Sequence, residues 1–560
     1  MFRMLLKIIV MLLAQNFIVA KSLEDLASIL SSNRLIDTNV YQGKYDYIVV
    51  GAGSAGCVVA NRLSEMNSST VLLLEAGDFE TLITEVPLLA PITLKTSYNW
   101  AYKTEPSPHS CLGLRDGVCY WHKGRGVGGS SLINFLLYSR GHYQDFDLWS
   151  KLGNKGWSYN EVLPYFRKSE HFEIEKWKNS RYHGYTGPLN VSYATYKSRI
   201  LNAFFKSGLE MGYNVIDVNA GQLSGFGKPQ ATLRNGKRCS TSKAFVQPII
   251  NRKNFHLSVR SRVTKIILRN SLKHNKLIAL GVEFVKNNKR FMIKVNQEVI
   301  LSAGSVASPQ LLLLSGIGPA ENLRECGVPI LKELQVGYNL QDHVVLPGLV
   351  FTTNETTVNG RSLLNPRNIW QYLETGTGVY TIPGGVDGLA FNAFDMQPVL
   401  LRPKSRGRVS LRSRNPFAWP KMEGNLLQHP DDITTLVEGV EMILQLAQTS
   451  AMLKIDTKFN RRPFWRCGHL EFASWKYWHC CLRLYASTLQ HQVGTCKMGP
   501  SNDSEAVVDS QLMVYGVRNL RVVDASIMPT IPAGHPNAIV IMIAEKASDM
   551  IKERLRMNNN

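Results

Sequence analysis

Residues 44–56 read KYDYIVVGAGSAG, an apolar run that passes directly into three glycines. Residues 57–63, CVVANRL, continue with apolar side chains at helical spacing, so the pattern predicts a strand, a glycine turn and a helix. A second apolar run, residues 71–74, ends in Glu75, at the distance where dinucleotide-binding units carry an acidic residue. The carboxylate of Glu75 can accept hydrogen bonds from both ribose hydroxyls, which disfavours a ribose with a 2′-phosphate.

The three glycines have separate physical roles in this motif. Gly51 permits the tight turn, Gly53 lets the backbone approach a pyrophosphate, and Gly56 allows the helix to pack closely on the strand. The phosphates would face the first helical turn, at Ser54 and Ala55, where free N–H groups and the helix dipole favour anions. The segment therefore predicts a Rossmann-type dinucleotide site.

Length and composition indicate a globular protein with more than one domain. The chain has 560 residues, of which 44% are hydrophobic and 19% charged. Its formal net charge is +21, but the basic residues are scattered, with modest clusters at 402–414 and 461–462. A scattered excess is typical of a solvated basic surface, so no nucleic-acid partner is expected.

The N-terminus has the pattern of a secretory signal peptide over residues 1–20. Arg3 and Lys7 precede an apolar run, and the segment ends at Ala20, a small residue suited to cleavage. The alternative is an uncleaved anchor. If the signal peptide is cleaved after Ala20, residues 21–43 form the N-terminal segment of a secreted protein without a stable membrane span. Four glycosylation sequons agree with export, at residues 67–69, 190–192, 354–356 and 502–504.

Nine cysteines leave at least one thiol unpaired within the chain. Cys111 and Cys119 flank a turn-rich stretch and could close a short disulfide loop. Cys57 lies within the first predicted helix and is expected to be a small buried apolar residue. Neither the cysteines nor the histidines have zinc-site spacing, so no metal is expected.

Two further segments carry a family resemblance. Residues 124–134 read GRGVGGSSLIN, where small side chains would let the backbone lie against a planar ring system, and residues 135–140 look helical. Residues 304–319 read GSVASPQLLLLSGIGP. Both segments resemble the two signatures of the glucose–methanol–choline oxidoreductases, which are FAD enzymes. The similarity continues through residues 339–343 and 520–526, and is strongest for insect FAD glucose dehydrogenase-like members.

The resemblance implies an α/β fold with two interleaved domains. A Rossmann-like FAD-binding domain would be assembled from discontinuous segments, 44–345 and 505–555. Residues 346–504 would form the substrate-binding region, with a large mixed or antiparallel sheet and the catalytic histidine. Strand-like runs at 259–268 and 298–302 agree with this division. The chain is shorter than its relatives near 395–402, which puts substrate binding and activity in question.

Two histidines match the family's catalytic positions. His491 stands in a His-x-x-Gly-Thr motif that resembles the family's catalytic base, and its imidazole has a suitable ordinary pKa. His535 would bind the same substrate hydroxyl oxygen. Gln492 departs from the family, which usually has proline there and so a more rigid loop. His343 and His122 lie near family motifs and are expected to be structural.

The resemblance also assigns the residues that would hold FAD. Asp524 would bind the ribityl or phosphate region, and Asn537 with the adjoining backbone would contact the flavin pyrimidine edge. Ile133 occupies the position where some relatives attach flavin covalently to histidine, so FAD is predicted to be noncovalent. The remaining cofactor-binding candidates are Arg125, Gly128, Gly129, Ser130, Asn134, Val263 and Pro536.

The sequence thus predicts a secreted FAD-dependent oxidoreductase that takes hydride from an alcohol or sugar CH–OH group. A quinone, a similar acceptor or oxygen would reoxidise the flavin. Two alternatives stay open: oxidation of a steroid or lipid-like alcohol, and a catalytically silent flavoprotein or binding protein with the same fold.

Overall fold

The protein is described by a computed structural model that covers residues 36–39, 41, 43–221, 224–271, 276–384 and 392–559. The predicted signal peptide lies outside the described residues, as does most of the segment 21–43. Within the part of the chain that the structure describes, no helix is long and apolar enough to span a bilayer.

An eight-stranded mixed sheet forms the centre of the first region. Its order is β4-β5-β6-β1-β2-β3, with β7 beside β5 and β8 beside β6. The strands are β1 (Lys44–Val50), β2 (Val71–Leu74), β3 (Phe255–Ser258), β4 (Arg262–Ser271), β5 (Lys276–Lys286), β6 (Lys289–Leu301), β7 (Val517–Arg518) and β8 (Leu520–Val522).

The parallel part of this sheet follows the Rossmann pattern. β3, β2 and β1 are parallel neighbours, and β6 pairs in parallel with β1 on one side and β8 on the other. The chain therefore moves outward from β1 in one direction and later returns on the other side. A doubly wound sheet binds its ligand where the strand order reverses, at the carboxyl ends of the strands. Here that point lies between the ends of β1 and β6.

Nine helices of nine or more residues are found among the described residues. They are α1 (Ser54–Leu63), α2 (Tyr143–Lys151), α3 (Tyr159–Ser169), α4 (Arg199–Glu210), α5 (Gly304–Leu314), α6 (Pro366–Thr375), α7 (Pro430–Leu446), α8 (Trp475–Tyr485) and α9 (Pro536–Asn559).

The last helix completes the nucleotide-binding region. Most of the first half of α9 is buried, and the helix packs against α1. Arg62 on α1 forms an ion pair with the fully buried Glu545 on α9, at 2.7 Å. β1 and β2 read as continuous apolar runs because both faces of a parallel sheet are covered. The C-terminal strand and helix thus return to the sheet that the N-terminal segment begins.

The second region contains short antiparallel strands. Val344–Val345 lies between Val399–Leu400 and Ser487–Thr488. In a neighbouring sheet, Val350–Thr352 lies between Ala393–Asp395 and Lys458–Phe459. The sheets are antiparallel, as expected, but each described strand has only two or three residues. Residues 393–395 pair with 350–352 and residues 399–400 pair with 344–345, so both strand pairs form on either side of 396–398, and the predicted shortening near 395–402 stays a prediction.

Four two-stranded pairs complete the strands of the described residues. They join Tyr102–Lys103 to Tyr120–Trp121, Glu170–Phe172 to Leu189–Val191, Leu233–Arg234 to Lys237–Arg238, and Arg408–Ser410 to Lys421–Glu423.

One local prediction is wrong. Residues 135–140 are irregular rather than helical, and Leu136 has a φ of 62°, in the left-handed region. The side-chain oxygen of Asn134 accepts a hydrogen bond from the backbone N–H of Leu136, and Tyr138 N–H donates to the carbonyl of Gln230. These hydrogen bonds, one local and one to a distant part of the same chain, take the place of helical hydrogen bonds. Asn side chains often compete with helical bonding in this way.

The cysteine predictions are confirmed. Cys111 and Cys119 form a disulfide, and Cys57 is buried in α1. A second disulfide, Cys467–Cys480, was not anticipated from the sequence.

Candidate active site

The glycine turn after β1 has the geometry that the sequence predicts. Gly51 has a φ of 97°, and a Cβ added to Gly56 would lie 1.9 Å from the carbonyl oxygen of Gly51. Helix α1 therefore begins directly against the strand. Its N-terminus, from Ser54, has no side-chain cap and no acidic residue in the first turn. The N–H groups at the start of α1 are thus suited to an anionic group such as a pyrophosphate.

The second glycine segment lies directly against the first. The N–H of Gly128 donates to the carbonyl of Ala52 at 2.7 Å. Gly129 has a φ of 52°, and a Cβ at this position would lie 2.5 Å from Cα of Gly53. Ser130 is exposed, and its hydroxyl accepts from the N–H of Gly124 at 3.1 Å. We call residues 51–56 together with 128–134 the glycine cradle.

Glu75 lies at the carboxyl end of β2, beside the cradle. Its carboxylate accepts hydrogen bonds from the backbone N–H groups of Ala52, at 2.9 Å, and Gly77, at 2.7 Å. Burial raises the pKa of Glu75, against the effect of these N–H groups and of the Arg125 charge. The guanidinium of Arg125 lies 5.1 Å from the ring centre of Trp100. These contacts place a buried acceptor where the sequence predicts the adenosine ribose.

Val263 lies near Glu75, at the start of β4. Two residues before Val263, the backbone N–H of Ser261 donates a hydrogen bond to the carbonyl of Glu75 at 2.7 Å. The link between β3 and β4, which leads to Val263, is therefore hydrogen-bonded to the backbone of Glu75 at the end of β2.

Asn134 and Asp524 are already hydrogen-bonded to the protein. The side-chain oxygen of Asn134 accepts from the buried guanidinium of Arg238 at 2.6 Å. Asp524 accepts from the N–H of Gly304 and the hydroxyl of Ser308 with one oxygen, at 2.8 and 2.6 Å. Its other oxygen accepts from Ser526. Asp524 thus fixes the start of α5, and its contact with FAD stays a prediction.

The start of α9 connects the cradle to the histidines. Pro536 is the first helical residue, and the side-chain oxygen of Asn537 accepts from the hydroxyl of Ser54 at 2.6 Å. The N-termini of α1 and α9 therefore lie side by side, so both helix ends face the predicted cofactor site.

His491 and His535 are in direct contact, as the sequence predicts for two groups that bind one hydroxyl. Nε2 of His491 lies 3.2 Å from Nδ1 of His535, and the ring planes meet at 89°. Burial lowers the pKa of His535 to about 4. Burial also lowers the pKa of His491 well below its ordinary value, and the neighbouring His535, His343 and Lys123 lower it further. Both rings are therefore neutral at neutral pH.

His343 joins this pair, although its place in the sequence predicted only a structural role. Its Nδ1 lies 2.9 Å from Nδ1 of His491, and the ring is almost fully buried. We call His343, His491 and His535 the histidine cluster. No group of metal-ligand side chains was found among the described residues, and the cluster is held by ring-to-ring contacts. The Asp-His pair that ends the 339–343 motif was the signal that could have identified it.

Asp342 fixes the backbone on which His491 stands. Its carboxylate accepts from the N–H of His491 at 2.9 Å, from the amide of Gln492 at 2.6 Å, and from the hydroxyl of Thr488. Burial raises the pKa of Asp342 to about 6. Gln492 thus helps to anchor the loop that carries His491.

Gln490 ties the same loop to the second glycine segment. It has a φ of 66°, and its side-chain oxygen accepts from the N–H of His122 at 2.7 Å. Its carbonyl accepts from Nζ of Lys123 at 2.8 Å, and burial lowers the pKa of Lys123 to about 8. The loop that carries His491 is therefore bonded to residues 122–123, which immediately precede the second glycine segment.

The cradle fits a dinucleotide on three grounds: an uncapped helix N-terminus, glycine backbones in contact, and a buried carboxylate acceptor. With the neutral histidine pair beside it, this site defines a dinucleotide-dependent oxidoreductase. The chain belongs to the GMC oxidoreductase family, whose profiles match residues 45–345 and 403–544. It is an FAD-dependent oxidoreductase that acts on CH–OH donors, which confirms the predicted family, fold class, cofactor and enzyme class.

Individual relatives agree over almost the whole chain. The glucose dehydrogenase (FAD, quinone) of Drosophila melanogaster is 36% identical, over 91% of this chain and 87% of that protein. Mitochondrial choline dehydrogenase of Mus musculus is 35% identical, over 92% of this chain and 90% of that protein. A solved FAD-dependent oxidoreductase from Chaetomium thermophilum has a TM-score of 0.82 at 26% identity, covering 91% of this chain and all of that one.

Proposed function

We propose that this protein oxidises the CH–OH group of an alcohol or sugar with His491 as the base and His535 as the group that orients the hydroxyl. The observation that carries the proposal is the contact of 3.2 Å between Nε2 of His491 and Nδ1 of His535. A hydroxyl oxygen that reaches both nitrogens can donate to one and accept from the other.

The lowered pKa values support a neutral base in the resting site. A neutral His491 can accept the hydroxyl proton at neutral pH, as general base catalysis requires. FAD, when bound, supplies the ring that accepts the hydride from the same carbon. The N-terminus of α9 would stabilise negative charge that develops on that ring. Contact of the two histidines in a buried setting disfavours a catalytically silent protein.

The substrate and acceptor classes rest on the relatives. The Drosophila protein is named for glucose and a quinone, and the mouse protein for choline. We therefore propose a small alcohol or sugar as substrate, with a quinone as acceptor or with oxygen in its place.

We also propose that the protein is secreted and glycosylated. The signal-peptide pattern supports export, and two disulfides are typical of proteins that fold in an oxidising compartment. Among the sequon asparagines, Asn67, Asn354 and Asn502 are exposed, whereas Asn190 is bonded to Glu173 and Arg234.

A bleaching screen tests the catalytic proposal. The purified protein should be yellow, and its flavin absorbance should fall under anaerobic conditions with at least one alcohol. The panel should contain sugars, aromatic alcohols and steroids, so that the result also separates the lipid-alcohol alternative. A flavin that no member of the panel reduces would contradict the proposed function.

We expect FAD to be noncovalent because Ile133 offers no nucleophilic atom at the position of the family's covalent histidine. Its side chain is buried beside Leu132 and Ile83, where it can only pack. Acid denaturation followed by filtration should release the yellow colour into the filtrate. Colour that stays with the precipitated polypeptide would show a covalent bond.

A further inference from the structure

The proposed function uses two rings of the histidine cluster and gives His343 no role. The two Nδ1 atoms of His343 and His491 lie 2.9 Å apart, with the ring planes at 82°. At this distance one ring must donate an N–H and the other must accept it. Which ring donates decides the tautomer of His491, and therefore whether its Nε2 carries a hydrogen or a lone pair.

The surroundings of His343 indicate the direction. Its Nε2 is buried and has no well-formed hydrogen bond among the described residues. The backbone carbonyls of Leu401 and Pro532 act to raise the pKa of His343 against the effect of burial, as acceptors near a ring N–H do. Because Nδ1 of His343 faces His491, Nε2 is the nitrogen left to carry the hydrogen that these carbonyls favour. Burial and the charge of His535 lower the pKa of His343 to about 3, so the ring carries only one hydrogen.

With its hydrogen on Nε2, His343 presents a lone pair at Nδ1. His491 must then donate its own Nδ1–H to His343, which leaves the lone pair of His491 on Nε2. That nitrogen is the one that faces His535. In the opposite tautomer Nε2 of His491 would already hold a hydrogen and could accept no proton from a substrate.

We infer that His343 is a positioning residue, whose Nδ1 accepts a hydrogen bond from His491 and keeps Nε2 of His491 free to accept the hydroxyl proton. The inference rests on the proposed function of His491. In the step it serves, the O–H bond of the alcohol breaks and an N–H bond forms at Nε2, while FAD, when bound, would supply the acceptor for the carbon-bound hydride. The imidazolium that results keeps its Nδ1–H bond to His343.

Two substitutions separate this hydrogen bond from packing. His343→Asn places an amide oxygen close to the position of Nδ1, whereas His343→Leu keeps an apolar side chain of similar bulk and removes the acceptor. His122→Leu is the matched control, because this partly buried ring bonds to Asn99 rather than to the cluster. The rate of anaerobic flavin reduction by an active alcohol should be measured for each variant across pH.

We expect His343→Leu to reduce its flavin at least about tenfold more slowly, with little change in half-saturation, because part of His491 adopts the unproductive tautomer. His343→Asn should retain most of the rate, and His122→Leu all of it.

A measurement without turnover decides the tautomer itself. Protein labelled with ¹⁵N-histidine should show His491 as the Nδ1–H tautomer, with its signals assigned by their loss in His491→Ala. An Nε2–H tautomer in the parent protein would overturn the inference, as would a His343→Leu variant with the parent rate or a His343→Asn variant as slow as His343→Leu. Failure of every alcohol to reduce the flavin would contradict the proposed function instead, and the tautomer measurement would still decide the role of His343.

Discussion

The glycine cradle and the histidine cluster lie side by side but are built in different ways. The cradle is made of backbone, from two segments whose glycines allow the main chains to touch, as Gly53 and Gly129 do. The histidine cluster is made of side chains from three segments that are far apart in sequence. Its properties depend on burial and on which nitrogen of each ring carries a hydrogen.

This difference predicts two kinds of failure. An added atom in the cradle should exclude the cofactor, since the backbone there has no room to move. A removed ring in the cluster should leave the cofactor bound and stop the proton transfer. Substitutions in the cradle should therefore affect FAD binding, and substitutions in the cluster should affect the rate of flavin reduction. A single substitution that abolishes both would contradict this distinction.

The largest effect is expected for His491→Ala. The variant should keep its yellow cofactor, because the described contacts of the His491 ring are to other histidines and not to the cradle. Loss of the general base should slow flavin reduction by at least about a hundredfold. Stopped-flow absorbance under anaerobic conditions measures this rate. Near-normal bleaching would remove His491 from the mechanism.

Gly129→Ala, in the glycine cradle, should weaken FAD binding. Its Cβ would lie 2.5 Å from Cα of Gly53, and overpacking of this kind costs about 1–3 kcal/mol, or roughly tenfold to a hundredfold in FAD affinity. Gly117→Ala is the matched control. Gly117 also has a positive φ, 64°, but no atom within 4 Å of the added Cβ. Titration of the apoprotein with FAD compares the two. Equal affinities would show that the close approach of Gly129 to Gly53 does not limit FAD binding.

Glu75→Ala should weaken FAD binding without adding bulk. Hydrogen bonds to a charged group contribute about 1.5–3 kcal/mol, so the affinity should fall roughly tenfold or more. Glu80→Ala serves as the control, because Glu80 is also buried but bonds to Ser240 and Gln247 instead of facing the cradle. If Glu75→Ala binds FAD as tightly as the parent, the adenosine ribose lies elsewhere.

The first segment of the cradle could be predicted from sequence because residues close together in the chain determine its conformation. The spacing of Gly51, Gly53 and Gly56 after a strand already fixes the turn and the helix start. The role of His343 could not be predicted in this way, since its contact with His491 requires two strands to pair and a buried ring to face the right way. The non-helical conformation of residues 135–140 was missed for a similar reason, because hydrogen bonds to Asn134 and the distant Gln230 decide it.

The smallest expected effect concerns His183, a buried histidine outside the cluster. A substitution there tests whether burial alone keeps histidines neutral in this protein. His183 is fully buried between Asp217, at 2.8 Å from its Nε2, and Glu170, at 3.1 Å from its Nδ1. Burial and the charge of Arg140 lower the pKa of His183, but the bonds to Asp217 and Glu170 outweigh them and raise it above the ordinary value. His183 therefore differs from the histidine cluster by having carboxylate partners.

A group whose pKa is raised by folding contributes stability below its unfolded pKa and loses that contribution as the pH rises through its folded pKa. Between pH 6 and pH 9 the melting temperature of the parent protein should therefore fall relative to that of His183→Gln. Each unit of pKa shift corresponds to about 1.4 kcal/mol, so the difference is small but measurable by calorimetry. The slope is the informative quantity, because loss of the buried bonds lowers the melting temperature of the variant at every pH. Parallel slopes would mean that folding leaves the pKa of His183 unchanged, and a melting temperature that rises with pH relative to the variant would mean that His183 is neutral when folded. Either result would show that the carboxylate partners do not raise its pKa.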